Sequence, residues 1–213
     1  MNMEAKDRIL EKATDLFMRY GIRSITMDEI AGQLGISKKT IYQFFTDKDE
    51  LVEGVVDQEI KRNELKSVRF RKSSENAVHE VFIAVEEMAE MLKSMNPLIM
   101  YDLEKHHPKS HKKYRDHINQ FMYQACRENL TRGLMEELYR PELNADIVSR
   151  HRIESAFMAF NPDIFPHSRY RVSEVCYELA ILFLHGITTI KGKKLIEKYS
   201  TERIKLLSHE QKV

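Results

Sequence analysis

The chain has 213 residues, room for one large domain or two small ones, and 42% of them are hydrophobic, enough for a real core. Its formal net charge of +1 excludes a globally basic nucleic-acid-binding surface. Residues 1–70 hold twelve basic and thirteen acidic side chains, so any DNA footprint must be a local patch. Cys126 and Cys176 lie in helical patterns without metal-like spacing, which predicts buried free thiols. No signal peptide and no apolar run of transmembrane length is visible, so a cytoplasmic chain is expected.

The first predicted helix covers residues 4–20. Ile9, Leu10, Ala13, Leu16 and Phe17 recur as its buried stripe, and Gly21 stops it. Thr26 then stands as an N-cap, with Glu29 three residues on as the second half of a capping box. Ile30, Ala31 and Leu34 give this second helix its apolar side. Gly35 ends it, because glycine enters the left-handed terminal position without steric cost. Ser37 caps a third helix on which Ile41, Phe44 and Phe45 face inward. Lys38, Lys39, Thr40, Tyr42 and Gln43 are left facing mostly outward. Two lysines and a hydroxyl in an exposed first turn suit a major-groove recognition helix. A solvated helical hairpin with a dispensable polar face fits the same pattern.

These residues also carry a resemblance. Residues 6–52 contain FMRYGIRSIT, MDEIAGQLGIS and KKTIYQFFTDKDEL in order, with Tyr42, Phe44, Phe45, Lys48 and Leu51 at matching positions. This segment resembles the DNA-binding domain of the tetracycline-repressor (TetR/AcrR) family. The resemblance implies an all-α fold: an N-terminal three-helix helix-turn-helix head, then a larger helical ligand-binding and dimerisation body. It places the head at residues 1–50, with the start of the connecting helix, and the body at 51–213. It implies phosphate contacts from Thr26, Tyr42 and Lys48, with Lys39 and Thr40 reaching base edges and Lys38 and Gln43 as further contacts.

Beyond the head, Asp47 and Glu50 read as a second capping box. The basic run Lys61, Arg62, Lys66, Arg69, Arg71 and Lys72 reads as the polar end of the fourth helix plus a solvated loop. An amphipathic helix is predicted over 75–94. Asn96 and Pro97 predict an N-cap and first helical position for a short helix over 97–105. Pro108 breaks the pattern, and another helix is expected to about 131. His106, His107, His111 and His117 cluster at that junction, but the lysines around them oppose a metal ion, so no metal is expected. Residues 133–143 read as a helix end and linker. Helices are predicted over 144–159 and 171–190, then a last short helix with Leu195, Ile196, Ile204 and Leu206 and a frayed SHEQKV.

The second of those helices is apolar nearly all round. The resemblance makes it part of a dimer seam through Val175, Leu179, Leu182, Phe183 and Gly186; burial within a monomer fits the pattern too. Met and aromatic residues that cannot share one tight seam suggest a ligand cavity lined by Phe82, Val85, Met88, Tyr101, Phe121, Met122, Met158 and Tyr177. Ordinary core packing explains the same residues. No nucleophile motif or phosphate-binding glycine loop is visible, so neither an enzyme nor a cofactor is expected. The expected partners are palindromic double-stranded DNA, a largely apolar small-molecule effector and a second copy of the chain, and no membrane. The alternative is a helical dimeric sensing or protein-interaction module whose head no longer binds DNA.

Overall fold

The computed structural model describes residues 2–93 and 95–210, apart from the side chains of residues 2, 3 and 205–210. The fold is all-α. The described elements are α1 (Asn2–Tyr20), α2 (Met27–Leu34), α3 (Lys38–Tyr42), α4 (Lys48–Ser73), α5 (Ala77–Lys93), α6 (Ile99–His106) and α7 (Pro108–His117). A π-helical turn, Ile118–Met122, then leads into α8 (Tyr123–Met135), and α9 (Ala145–Met158), α10 (Val172–Ile187) and α11 (Ile190–Glu210) follow. Packing groups them into two units: residues 1–65 with 91–119, called the head here, and residues 66–90 with 120–213, called the body.

The head core is built from the predicted stripes. Ile9, Ala13 and Phe17 of α1 meet Ile30 of α2, Ile41 of α3 and Leu51 and Val52 of α4, all almost fully buried. Leu103 of α6 joins this core. Two backbone links tie the same later segment to the α1 end: the Asn96 N–H donates to the Met18 carbonyl (2.6 Å), and the Arg23 N–H donates to the buried Asp102 carboxylate (3.0 Å). A charged seam runs between α4 and α7. Asp49 meets His107 at 2.5 Å, Glu53 meets Lys109 at 2.9 Å and Lys113 at 3.3 Å, and Lys113 also meets Asp57 at 2.5 Å. The expected polar helix start at the histidine cluster is thus a docking face for α4. Among the described residues no three His, Cys, Asp or Glu side chains are grouped as metal ligands.

The body has its own core. Ala77, Val78 and Phe82 of α5 pack with Leu130 of α8, Leu184 and Ile187 of α10, and Ile196 and Tyr199 of α11. Tyr139, 1% exposed, lies at its centre with its hydroxyl 3.1 Å from the Ala77 carbonyl and 3.0 Å from Asn129 Oδ1. Burial pushes its phenol well above the ordinary range. The Tyr139 ring lies against Gly133: a Cβ on that glycine would stand 2.1 Å from the ring, so only glycine fits. Gly133 lies in the last turn of α8, the expected helix end, and the chain turns at Glu136. Arg132 ties this corner down by pairing with Glu80 (3.1 Å) and Glu136 (2.8 Å).

Other boundaries moved for local reasons. α4 continues unbroken through the basic run to Ser73, with no loop. In its body part, Lys66 and Arg69 pair with Glu87, and Arg71 pairs with Glu128, so these cations have partners within the body. Asn96 is not the immediate cap of α6. Its side chain accepts from the Leu98 N–H (2.9 Å) and the helix begins at Ile99, leaving Pro97 in the turn. The last helix is long, not short. Ile196 is buried and Ile204 exposed, while the side chain of Leu206 and residues 211–213 of the expected frayed end lie outside the described residues.

Candidate nucleic-acid interface

The α2–turn–α3 hairpin is fixed at each joint. Thr26 Oγ1 accepts from the Glu29 N–H (3.2 Å), while Glu29 Oε2 accepts from the Thr26 N–H (2.6 Å) and hydroxyl (2.8 Å). Those bonds from Thr26 hold the Glu29 carboxyl below its ordinary range. At the other end Gly35 is left-handed (φ 66°, ψ 29°). The Ile36 N–H reaches the Ala31 carbonyl (3.0 Å) and the Gly35 N–H reaches that of Gly32 (3.2 Å), the paired bonds of a Schellman turn. Ser37 Oγ accepts from the Thr40 N–H (3.1 Å) and starts α3. Ile41, fully buried, pins that helix to the head core.

The outward side chains then divide. Lys39 is exposed and has no ion-pair partner among the described residues. Tyr42 is 44% exposed and Gln43 is exposed at the end of α3. Lys38 instead turns back to Asp28 of α2 (2.7 Å), and that hydrogen bond raises its pKa. The Thr40 hydroxyl shares a hydrogen bond with Ser37 (2.9 Å). The hydroxyl proton and amide of Thr26 are both committed to Glu29.

Lys48 is placed differently from a solvent-facing phosphate contact. Its ammonium donates to the carbonyls of Ile22 (2.6 Å) and Ile25 (2.5 Å) and lies over the Phe17 ring. Burial lowers its pKa against the pull of Asp102, Glu29 and Asp49. The side chain closes the turn between α1 and α2 from the start of α4. Just before it, Asp47 Oδ1 accepts from the Glu50 N–H (2.8 Å), and Glu50 reaches past Asp47 to the Thr46 N–H (2.6 Å). The predicted cap is therefore present but one residue wider.

This head matches known proteins. Residues 9–55 fit the family described as bacterial regulatory proteins, tetR family. Over the longer chain, an uncharacterised helix-turn-helix transcriptional regulator of Bacillus subtilis, YvaF, is 24% identical across 85% of this chain and 94% of its own. A transcriptional regulator from Saccharomonospora viridis, solved in complex with choline, superposes with a TM-score of 0.72 at 21% identity, covering 88% of this chain and 99% of that one. A TetR-family regulator from Agrobacterium tumefaciens also gives 0.72, at 17% identity, over 89% and 100% of the two chains. Residues 9–55 thus match a tetR-family DNA-binding segment, and the longer chain shares its fold with regulators of that family.

In the body, the remaining candidates fall into distinct settings. Phe82 and Val85 are buried, with Phe82 packed on Tyr199 at 5.5 Å between ring centres. Met88, Phe121, Met122 and Met158 are half-buried, and Tyr177 carries the Arg203 guanidinium over its ring at 3.5 Å. Tyr101 belongs to the head instead, 48% exposed, with its hydroxyl accepting from Lys105 (2.7 Å). The five seam candidates also separate. Val175 and Phe183 are buried in the body itself, Leu179 is half-buried, and Leu182 is 70% exposed. Gly186 is exposed with open space where a Cβ would stand. Ile147 of α9 is exposed too, as are Met135 of α8 and Ile190 of α11. Among the described residues no helix is long and apolar enough to cross a membrane.

Proposed function

We propose that this chain is a ligand-responsive transcriptional repressor, acting in the cytoplasm as a homodimer on a palindromic operator. The observation that carries the reading is the capped hairpin, which presents Lys39, Tyr42 and Gln43 outward while its other polar groups are held internally. A helix held by both caps and by Ile41 offers its first turn to a base edge at little ordering cost. Tyr42 supplies a hydroxyl to a phosphate, Lys39 a charge to a base edge, and Lys38, Thr40 and Gln43 flank them. Thr26 and Lys48 act by holding the hairpin. One such helix makes too few contacts for specificity, so two heads would read half-sites roughly 34–36 Å apart, or a multiple of that. The exposed Leu182 and Gly186 support a pairing face on α10. The half-buried Met and aromatic side chains of the body support an effector site of largely apolar character. The choline complex of the Saccharomonospora viridis regulator gives a precedent for a small organic ligand on this fold.

Fluorescence anisotropy on fragments of the protein's own upstream region tests the reading. Binding should be specific and fall steeply with salt, and a subset of an apolar compound library should both raise the melting temperature and release the DNA. Failure to retain any fragment at low salt would leave a sensing or interaction module whose head has lost its DNA function.

A further inference from the structure

Arg152 sits half-buried on α9 of the body, with its guanidinium turned inward. Its Nη1 is buried and makes no hydrogen bond. What surrounds the guanidinium is the Phe183 ring, 5.6 Å from its carbon to the ring centre, and the thiols of Cys126 and Cys176. Burial pushes both thiols up, Cys176 to about 11, so at neutral pH they are uncharged and cannot balance it. Burial also lowers the pKa of Arg152 itself. No carboxylate pairs with it among the described residues. The contrast is Arg132 in the same body, which has Glu80 and Glu136 on either side. A buried cation without a counter-charge is costly to keep, so its presence calls for an anion from outside the chain.

We propose that Arg152 is an anion-receiving residue inside the body and that the effector carries a carboxylate held by its guanidinium. This rests on the reading of the body as an effector-binding region and names the chemistry of that effector. The charge count favours a singly charged group: one guanidinium among a phenyl ring and two neutral thiols balances one negative charge, while a dianion would leave an excess buried. The planar fork of the guanidinium suits a carboxylate in two parallel hydrogen bonds. The neighbouring Phe183 and the apolar core residues around α10 suit an apolar skeleton behind it.

The test uses the full chain and Arg152→Met, with formate, octanoate and 3-phenylpropionate as probes, each against its neutral amide. Formate is too small to be refused on shape. Melting temperature, calorimetric affinity and release of bound upstream DNA are read for each. We expect ligand-free Arg152→Met to melt at or above the wild type, because an unpaired buried charge has gone. We expect at least one carboxylate to bind the wild type tighter than its amide by on the order of tenfold to a hundredfold, and the variant to lose that preference. Arg152→Gln repeats the comparison should Arg152→Met fail to fold. A ligand-free variant pair that both melt well below the wild type would overturn the proposal, since the guanidinium would then have a structural partner. So would carboxylates that never outbind their amides in the wild type. If amides release the DNA as well as acids do, the effector reading stands and the role of Arg152 falls. If compounds bind the body and none releases DNA, the effector reading falls while the anion site is judged on affinity alone.

Discussion

Head and body handle their buried and half-buried charges in opposite ways. In the head, three such groups have partners in the same unit: Lys48 on two carbonyls, Asp102 on the Arg23 amide, Glu53 on two lysines. Of its charged groups, Lys39 is left unpaired on the outside, and a buried atom without a partner there, Gln58 Oε1, is neutral. In the body, Arg132 is similarly surrounded, but the half-buried Arg152 keeps its buried Nη1 without a counter-charge. An unpaired charge costs little in water and much inside a core. The head therefore reads as a finished surface awaiting an external polyanion, and the body as an unfinished interior awaiting a small one.

The largest effects should come from the body core, and they separate packing from pairing. Phe183→Ala should destabilise the protomer by about 3–5 kcal/mol, because a buried ring is lost. Leu182→Asp, one residue earlier, should leave protomer stability within about 0.5 kcal/mol and instead split the dimer by placing a desolvated charge at the seam. Chemical denaturation and sedimentation read the two outcomes. A Leu182→Asp protein that still sediments as a dimer would remove α10 from the seam. Gly133→Leu comes next, since its side chain would collide with the Tyr139 ring. A cost of about 3 kcal/mol is expected, visible in the body's melting transition.

A middle pair tests the head. Lys48→Ala should cost about 1.5–3 kcal/mol of stability, because two charge-assisted hydrogen bonds to the Ile22 and Ile25 carbonyls are lost. It should weaken specific and random DNA alike through a loosened hairpin. Lys39→Ala should leave stability unchanged and lower discrimination for the true operator by about 1–3 kcal/mol. Urea titrations with salt-dependent anisotropy decide between them. A fully stable Lys48→Ala protein with a reduced salt slope would return Lys48 to the role of a direct phosphate contact.

The lysine pair also shows what the sequence could and could not reveal. Caps and stripes are local, so Thr26, Gly35, Ser37 and the Ile41 anchor were legible from spacing alone. The tether of Lys48 joins residues 23 and 26 positions apart, and no local pattern encodes that reach. The same holds for Leu103 in the head core and for Tyr101 beside it, which the chain order placed with the later helices. On α10 the apolar residues surround the helix, so spacing could not separate the inward Phe183 from the outward Leu182. Arg152 reads in sequence as one more polar residue on a helix without a clean stripe. Only the packing of α9 against its neighbours turns it into a buried charge.

The smallest expected effect is a pH dependence of the head. Burial holds His117 below its ordinary 6.5, more strongly than Glu64 pulls it up. As pH falls through 6.5 the unfolded chain takes up that proton before the folded head does, so stability declines with acidification down to the folded value. Glu53 is held below its ordinary 4.5 by hydrogen bonds from Lys109 and Lys113. Its contribution is present above 4.5 and is lost as pH falls through its lower folded value. Denaturation midpoints measured from pH 7.5 to pH 4 should therefore decline in two stages. His117→Asn should flatten the upper stage and Glu53→Gln the lower one, each leaving the other intact. Because both residues are in the head, the decline should appear in the head's transition, while the body's core, whose centre is the neutral Tyr139, keeps its midpoint over the upper stage. An unchanged slope between pH 6.5 and pH 5 in His117→Asn would assign that stage to other histidines.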